Sequence, residues 1–291
     1  MRVRFLRPGL ALKRARDASA RHVQPPSSGP PDSTGIANVV SNYSNPNRGK
    51  TFIESPRVTV ASTGDLFTPI HKGLRSMIYS LSGRLQTNDF ADTAATGALM
   101  TDLENDFAIA RNAGCALCIL SHHAVDEEAV IFPSVAPVAN RLITELISEH
   151  HDLTRRELEI AKQGHDLLSM NSPEARIAAG VQLNIAANQL FGAYISHMNR
   201  EDAELVPLMQ THFSDPEMGA IQGKIIAQMP PDRVFAILGW MLPSLNVTEL
   251  SGLLASLKGL APPPVMKAIS ELCAARVDPA RWNTAKLRVG L

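Results

Sequence analysis

The chain has 291 residues, 45% hydrophobic and 19% charged, enough for one generous domain or two modest ones around an ordinary core. Lysine plus arginine and aspartate plus glutamate number 28 each, so no net field draws in nucleic acid or an anionic membrane, and the apolar stretches break well short of the roughly 20 residues that span a bilayer. Three cysteines, an odd number without signal-peptide architecture, fit a reducing, cytoplasmic setting better than a disulfide scaffold.

Residues 1–60 are expected to form a disordered N-terminal extension. The opening MRVRFLRPGLALKRARDASARHV is arginine-rich with a single acid, Asp17, a composition shared by organelle transit peptides and plain tails. The stretch after it is rich in Pro, Ser, Asn and Gly and buries little apolar surface.

The helical period begins near Leu66. A first helix carries Phe67, Ile70, His71, Leu74, Met77, Ile78, Leu81 and Leu85 on one stripe. A second, from near Thr101 to Phe132, carries Ala116, Ile119, Leu120, His123, Glu127, Val130 and Ile131, and Pro133 and Pro137 are expected to break the chain after it. A third, from about Ala139 to Gln163, carries Ile143, Leu146, Ile147, His150 and Leu153, with Gly164 expected as a left-handed cap. The fourth opens at Ser172 with Pro173 in its first turn and runs through Leu183, Leu190, Tyr194, His197, Glu201, Leu205 and Leu208. Four long helices with short connections predict an all-α, up-down-up-down bundle over residues 61–213. Shorter helices over 214–291 read as a packing appendage, with starts at Asp215-Pro216 and Pro231-Asp232, a capping box at Asn246 and Glu249, and separators at Leu242-Pro243 and the prolines after Ala261.

One constellation occurs twice. His123 and Glu127 precede Pro133 by ten and six residues, and His197 and Glu201 precede Pro207 by the same intervals. A His and a Glu four apart share a helix face at roughly 6 Å, so each pair offers a nitrogen and a carboxylate to one point. His71 and His150 lie on the apolar stripes of the other two helices. Two carboxylates on core-facing stripes are costly unless paired, protonated or metal-bound, and imidazole with carboxylate suits iron, manganese or zinc.

His71, HHxxxEExxIFP, EHHxL and HxxxExxxLVP together resemble the hemerythrin family of HHE cation-binding four-helix bundles, over about residues 66 to 212. The resemblance implies terminal ligands at His71, His123, His150 and His197, bridging carboxylates at Glu127 and Glu201, and a non-haem di-iron cofactor, with manganese or zinc as lesser alternatives. Its implied partners are metal ions and small diatomic ligands. The segment after the bundle resembles the tail of hemerythrin domains in plant iron-sensing ubiquitin ligases, but no cysteine- and histidine-rich module follows, so ligase activity is not implied.

Oxygen-carrying hemerythrins have HxxxH on the third helix, where this chain has Thr154 four residues after His150, and HxxxxD on the last, where it has HxxxE. The missing imidazole implies one less shielded iron, which disfavours reversible oxygen carriage. The expected function is sensing or handling of iron, oxygen or nitric oxide; the alternative is a di-iron enzyme that oxidises ferrous iron, consumes peroxide or repairs iron centres. His122 and His151 fall out of register with the ligand faces. Glu128, Asp202 and Glu204 are placed either to orient imidazoles or to be solvated, and Cys115 and Cys118 read as packing residues inside the second helix.

Overall fold

The structure, a computed structural model, describes residues 65–103 and 115–291. The extension expected at 1–60 lies outside the described residues. Among those described, all regular structure is helical. Helix α1 (Thr68–Thr87) starts where Asp65 Oδ1 accepts the backbone N–H groups of Phe67 and Thr68, at 3.1 and 2.9 Å. It buries the predicted stripe from His71 to Leu85. A short α2 (Thr93–Leu103) follows, and α3 (Ala116–Asp126) begins later than the expected second helix.

Pro133 does not break the chain as expected, whereas the break expected at Pro137 does occur, two residues later. A π-helical turn, Glu127–Ile131, leads directly into α4 (Phe132–Ser169), and a second, Glu201–Leu205, joins α5 (Pro173–Arg200) to α6 (Val206–His212). Proline lacks an N–H, and its ring clashes with the carbonyl four residues back. The helix widens by one residue instead, so that Phe132 N–H reaches Glu127 O and Val206 N–H reaches Glu201 O. The repeated six-residue interval from Glu to Pro therefore starts each π-turn on the carboxylate.

The reversal comes at Ala139, two residues after Pro137, where φ −146° and ψ 41° leave the helical region. A straight helix would separate Glu127 from His150 by about 34 Å, yet His150 Nε2 lies 3.3 Å from Glu127 Oε2. The two parts of the run are thus antiparallel neighbours. With α1 and α5 they make an all-α four-helix bundle. Gly164 is not a cap: α4 continues to Ser169, and a Cβ at Gly164 would lie 3.2 Å from Met100 Sδ. One 18-residue window within Ala116–Ser169 is apolar enough to cross a membrane by composition, but the run reverses at Ala139 and is not one continuous helix. Here its Leu117, Ile119, Leu120, Phe132 and Val135 fill the protein core.

Beyond the bundle lie α7 (Asp215–Gln228), α8 (Pro231–Ser244), α9 (Val247–Leu260), α10 (Pro263–Arg276) and α11 (Pro279–Val289). Successive helices start 16 residues apart, at 215, 231, 247, 263 and 279. Pro243 lies inside α8 rather than separating helices, while the Asn246–Glu249 capping box forms as expected. Helices α8 to α11 close over their own core of Leu238, Leu242, Leu250, Leu254, Met266, Ile269, Cys273 and Trp282, while α7 packs Met218 and Ile221 into the core of the bundle.

Among the contacts that hold the appendage to the bundle, two are tightly constrained. Arg233 Nη2 donates to both oxygens of Asp126, at 3.0 and 3.1 Å, in a buried ion pair. Gly73 on α1 lies under the backbone of α8, where an added Cβ would come within 2.9 Å of Met241 Cα. Backbone cannot move aside as a side-chain tip can, so Gly73→Ala is expected to cost about 1–3 kcal/mol in denaturant unfolding. Gly252→Ala, mid-helix on α9 with nothing within 4 Å of its Cβ, is expected to gain about 0.5–1 kcal/mol. Equal effects at the two positions would contradict the close approach.

Candidate metal centre

The four helices bring all six predicted side chains into two groups. One is His71, His123, Glu127 and Glu201; the other is Glu127, His150, His197 and Glu201; within each, one ligand atom per residue lies within 4.8 Å of the rest. Both glutamates belong to both groups. His71 Nε2 is 3.4 Å from Glu201 Oε2, His123 Nε2 is 3.1 Å from Glu127 Oε1, and His197 Nε2 is 3.4 Å from Glu201 Oε1. These atoms are close but misaligned for hydrogen bonding. His71 Nε2, His123 Nε2 and all four carboxylate oxygens are buried without a hydrogen-bond partner. Buried lone pairs left unmatched in this way cost free energy that a cation between them would recover.

The imidazoles are oriented from outside. His71 Nδ1 meets Asp202 Oδ1 at 2.8 Å, His150 Nδ1 meets Glu128 Oε1 at 2.9 Å, and His197 Nδ1 meets Glu149 Oε2 at 2.7 Å. A carboxylate only accepts, so each Nδ1 carries the proton and each Nε2 turns a lone pair inward. Arg75 and Arg200 in turn hold Asp202 and Glu149, at 2.6 Å each. His150 Nε2 and His197 Nε2 face each other at 2.8 Å, an arrangement that needs a proton or a cation between them. Phe132, from the IFP motif, stacks on His150 with ring centres 5.3 Å apart, and Phe67 meets His71 edge-on.

Two carboxylates this close cannot both stay ionised without positive charge between them. Burial and the charge of Glu201 push Glu127 well above the ordinary carboxylate value. Burial acts on Glu201 in the same sense, but the close approach of His197 and His71 outweighs it and holds Glu201 far below that value. For His71 burial opposes protonation, yet Asp202 and Glu201 lift it to about 9. His123 is driven well below the ordinary imidazole value by burial and by the charge on His71. With protons in place of cations, one sits on Glu127 and another on His71.

Other expectations are redistributed. His122 Nδ1 lies 2.7 Å from Cys118 O and His151 is exposed, so neither joins the groups. Glu128 and Asp202 orient imidazoles, while Glu204 instead meets Arg200. Thr154 is exposed and Leu153 and Glu157 share the inner face with His150, so the position of the missing imidazole does not open the site. The accessible side lies near His123 and Glu127, which form part of a cavity wall. The CxxC opens α3 rather than lying inside it: Cys115 is the N-cap and its Sγ accepts from Cys118 N at 3.4 Å.

Sequence reasoning missed Glu149, whose one signal is its place directly before His150. It also missed the Glu157–Tyr194 pair, in which the fully buried carboxylate accepts from the phenol one turn from His197. Burial raises Glu157 to about 7, against the lowering effect of that bond. The folded protein therefore keeps a proton that the unfolded chain releases near 4.5, and stability falls as pH rises from about 4.5 to 7. Glu157→Gln keeps the bond and removes the penalty. Its stability relative to the parent is expected to improve by roughly 1–3 kcal/mol between pH 5 and pH 8; a difference constant with pH in paired thermal melts would contradict this.

Residues 65–209 match the Hemerythrin HHE cation binding domain. No curated protein and no solved structure matches the chain.

Proposed function

Because the chain belongs to the hemerythrin HHE cation-binding family through residues 65–209, we propose that it holds two non-haem iron ions, each on two imidazoles, bridged by Glu127 and Glu201. The observation that carries this reading is the sharing of both glutamates between two buried four-residue groups. A single-ion site would leave two of the histidines without work. A donor set of nitrogen and oxygen with no thiolate suits iron, with manganese and zinc as weaker fits. Bound iron supplies one-electron redox chemistry and affinity for oxygen or nitric oxide. The function proposed is to sense or handle iron or these diatomic ligands.

The protein's own residues set the terms of that chemistry. Asp202, Glu128 and Glu149 fix the imidazole tautomers, Phe67 and Phe132 wall off two of the rings, and Glu127 and Glu201 neutralise part of the cation charge. A second reading, a di-iron enzyme, is favoured by the cavity that reaches His123 and Glu127, since a sealed site would admit no substrate larger than a diatomic. Excess substrate separates the two: an enzyme consumes many equivalents, whereas a sensor changes state once.

Elemental analysis of protein purified without chelator is expected to give about two irons per chain. Glu127→Ala with Glu201→Ala is expected to lose both, and Cys118→Ala to keep both; equal iron in the double variant and the parent would refute the assignment. Ligation needs deprotonated side chains, and His71 releases its proton only near 9. Iron binding at pH 7 is therefore expected to liberate protons, and affinity to rise from pH 6 to pH 9. Calorimetry in buffers of different ionisation enthalpy measures the proton count, and a count of zero would contradict the ligand set.

A further inference from the structure

A cavity of about 480 Å³ lies where α7, α8, α9 and α10 close over α1 and α3. Its size is that of a small-molecule site. Ile70, Ile119, Ile225, Leu238, Met241 and Ile269 stand for walls that are almost wholly apolar. The few polar residues fall into two sets. Asp65, Gln222 and Ser256 are scattered, whereas His123, Asp126 and Glu127 lie together where the end of α3 runs into the first π-turn. Asp126 is committed to Arg233. His123 Nε2 and both oxygens of Glu127 are buried without a hydrogen-bond partner.

Burial along the wall shows which end is open. Glu127 is 1% exposed, while Ile226, Val265 and Leu260 on the same wall are 50%, 38% and 85% exposed. Large apolar residues that exposed are a mouth for apolar material rather than a sealed core. The polarity runs from an apolar entrance to a charged inner end, and a ligand matched to it carries a hydrocarbon chain with one polar head.

We propose that this cavity binds a single-chain fatty acid, its alkyl chain along the apolar walls and its carboxylate directed at the His123–Glu127 end of the metal centre. The assignment rests on the di-iron reading for its head group. Two divalent cations against two bridging carboxylates leave net positive charge, which an anionic head complements. It gives the site a substrate or effector class larger than a diatomic gas.

The test uses the iron-loaded full chain and the fluorescent fatty acid cis-parinaric acid, with lauric acid as competitor and iron content measured on the same samples. Saturable fluorescence enhancement that lauric acid reverses, together with a change in the optical spectrum of the iron centre, is expected. Leu238→Trp fills the cavity, and Ile226→Glu with Leu260→Glu charges its mouth at exposed positions that leave folding intact. Each is expected to weaken binding at least tenfold. Full iron with no saturable binding, or binding unchanged in both variants, overturns the fatty-acid assignment alone. Less than one iron per chain overturns it together with the di-iron reading.

Discussion

Two carboxylates, Glu127 and Glu201, meet in the centre of a four-helix bundle with almost no exposure to water. Like charges so placed destabilise the fold unless protons or cations lie between them. The surrounding structure answers that constraint in layers. Four imidazoles flank the pair, three outer carboxylates orient three of those imidazoles, and Arg75 and Arg200 hold two of the outer carboxylates. The layers are charge-complementary from the centre outward, which is why removing an inner member should affect the whole arrangement more than removing an outer one.

Backbone geometry serves the same constraint. Each glutamate begins a π-turn forced by a proline six residues later. The extra residue in the turn shifts the register of everything after it, so that Phe132 stacks on His150 while Glu127 still faces inward. Pi-helical turns of this kind are costly in isolation and recur at functional sites. Here the proline removes the regular alternative, and the cost is met by packing around the centre.

Much of this was legible in the sequence. The apolar stripes of period 3.6 gave the bundle helices and placed His71 and His150 on their inner faces, and the duplicated His–Glu–Pro spacing singled out the other four residues that the fold brings together. What could not be read were features decided by distant partners. A local rule makes Pro133 a breaker because it cannot see the widened turn. It makes Gly164 a cap because the role of that glycine depends on Met100, and the outer role of Glu149 depends on His197 across a helix interface. The 16-residue period of the tail was open to inspection but hidden by the variety of its helix starts, Ser-Asp-Pro, Pro-Pro and Asn-Val among them. The cavity exists only because separate segments converge, and no local pattern announces it.

The most direct measurement is anomalous X-ray scattering at the iron edge from crystals of the iron-loaded protein. Two peaks about 3.5–4 Å apart are predicted, one beside His71 and His123, the other beside His150 and His197, both within bonding reach of Glu127 and Glu201. A single peak, or peaks away from both glutamates, would contradict a shared two-cation centre.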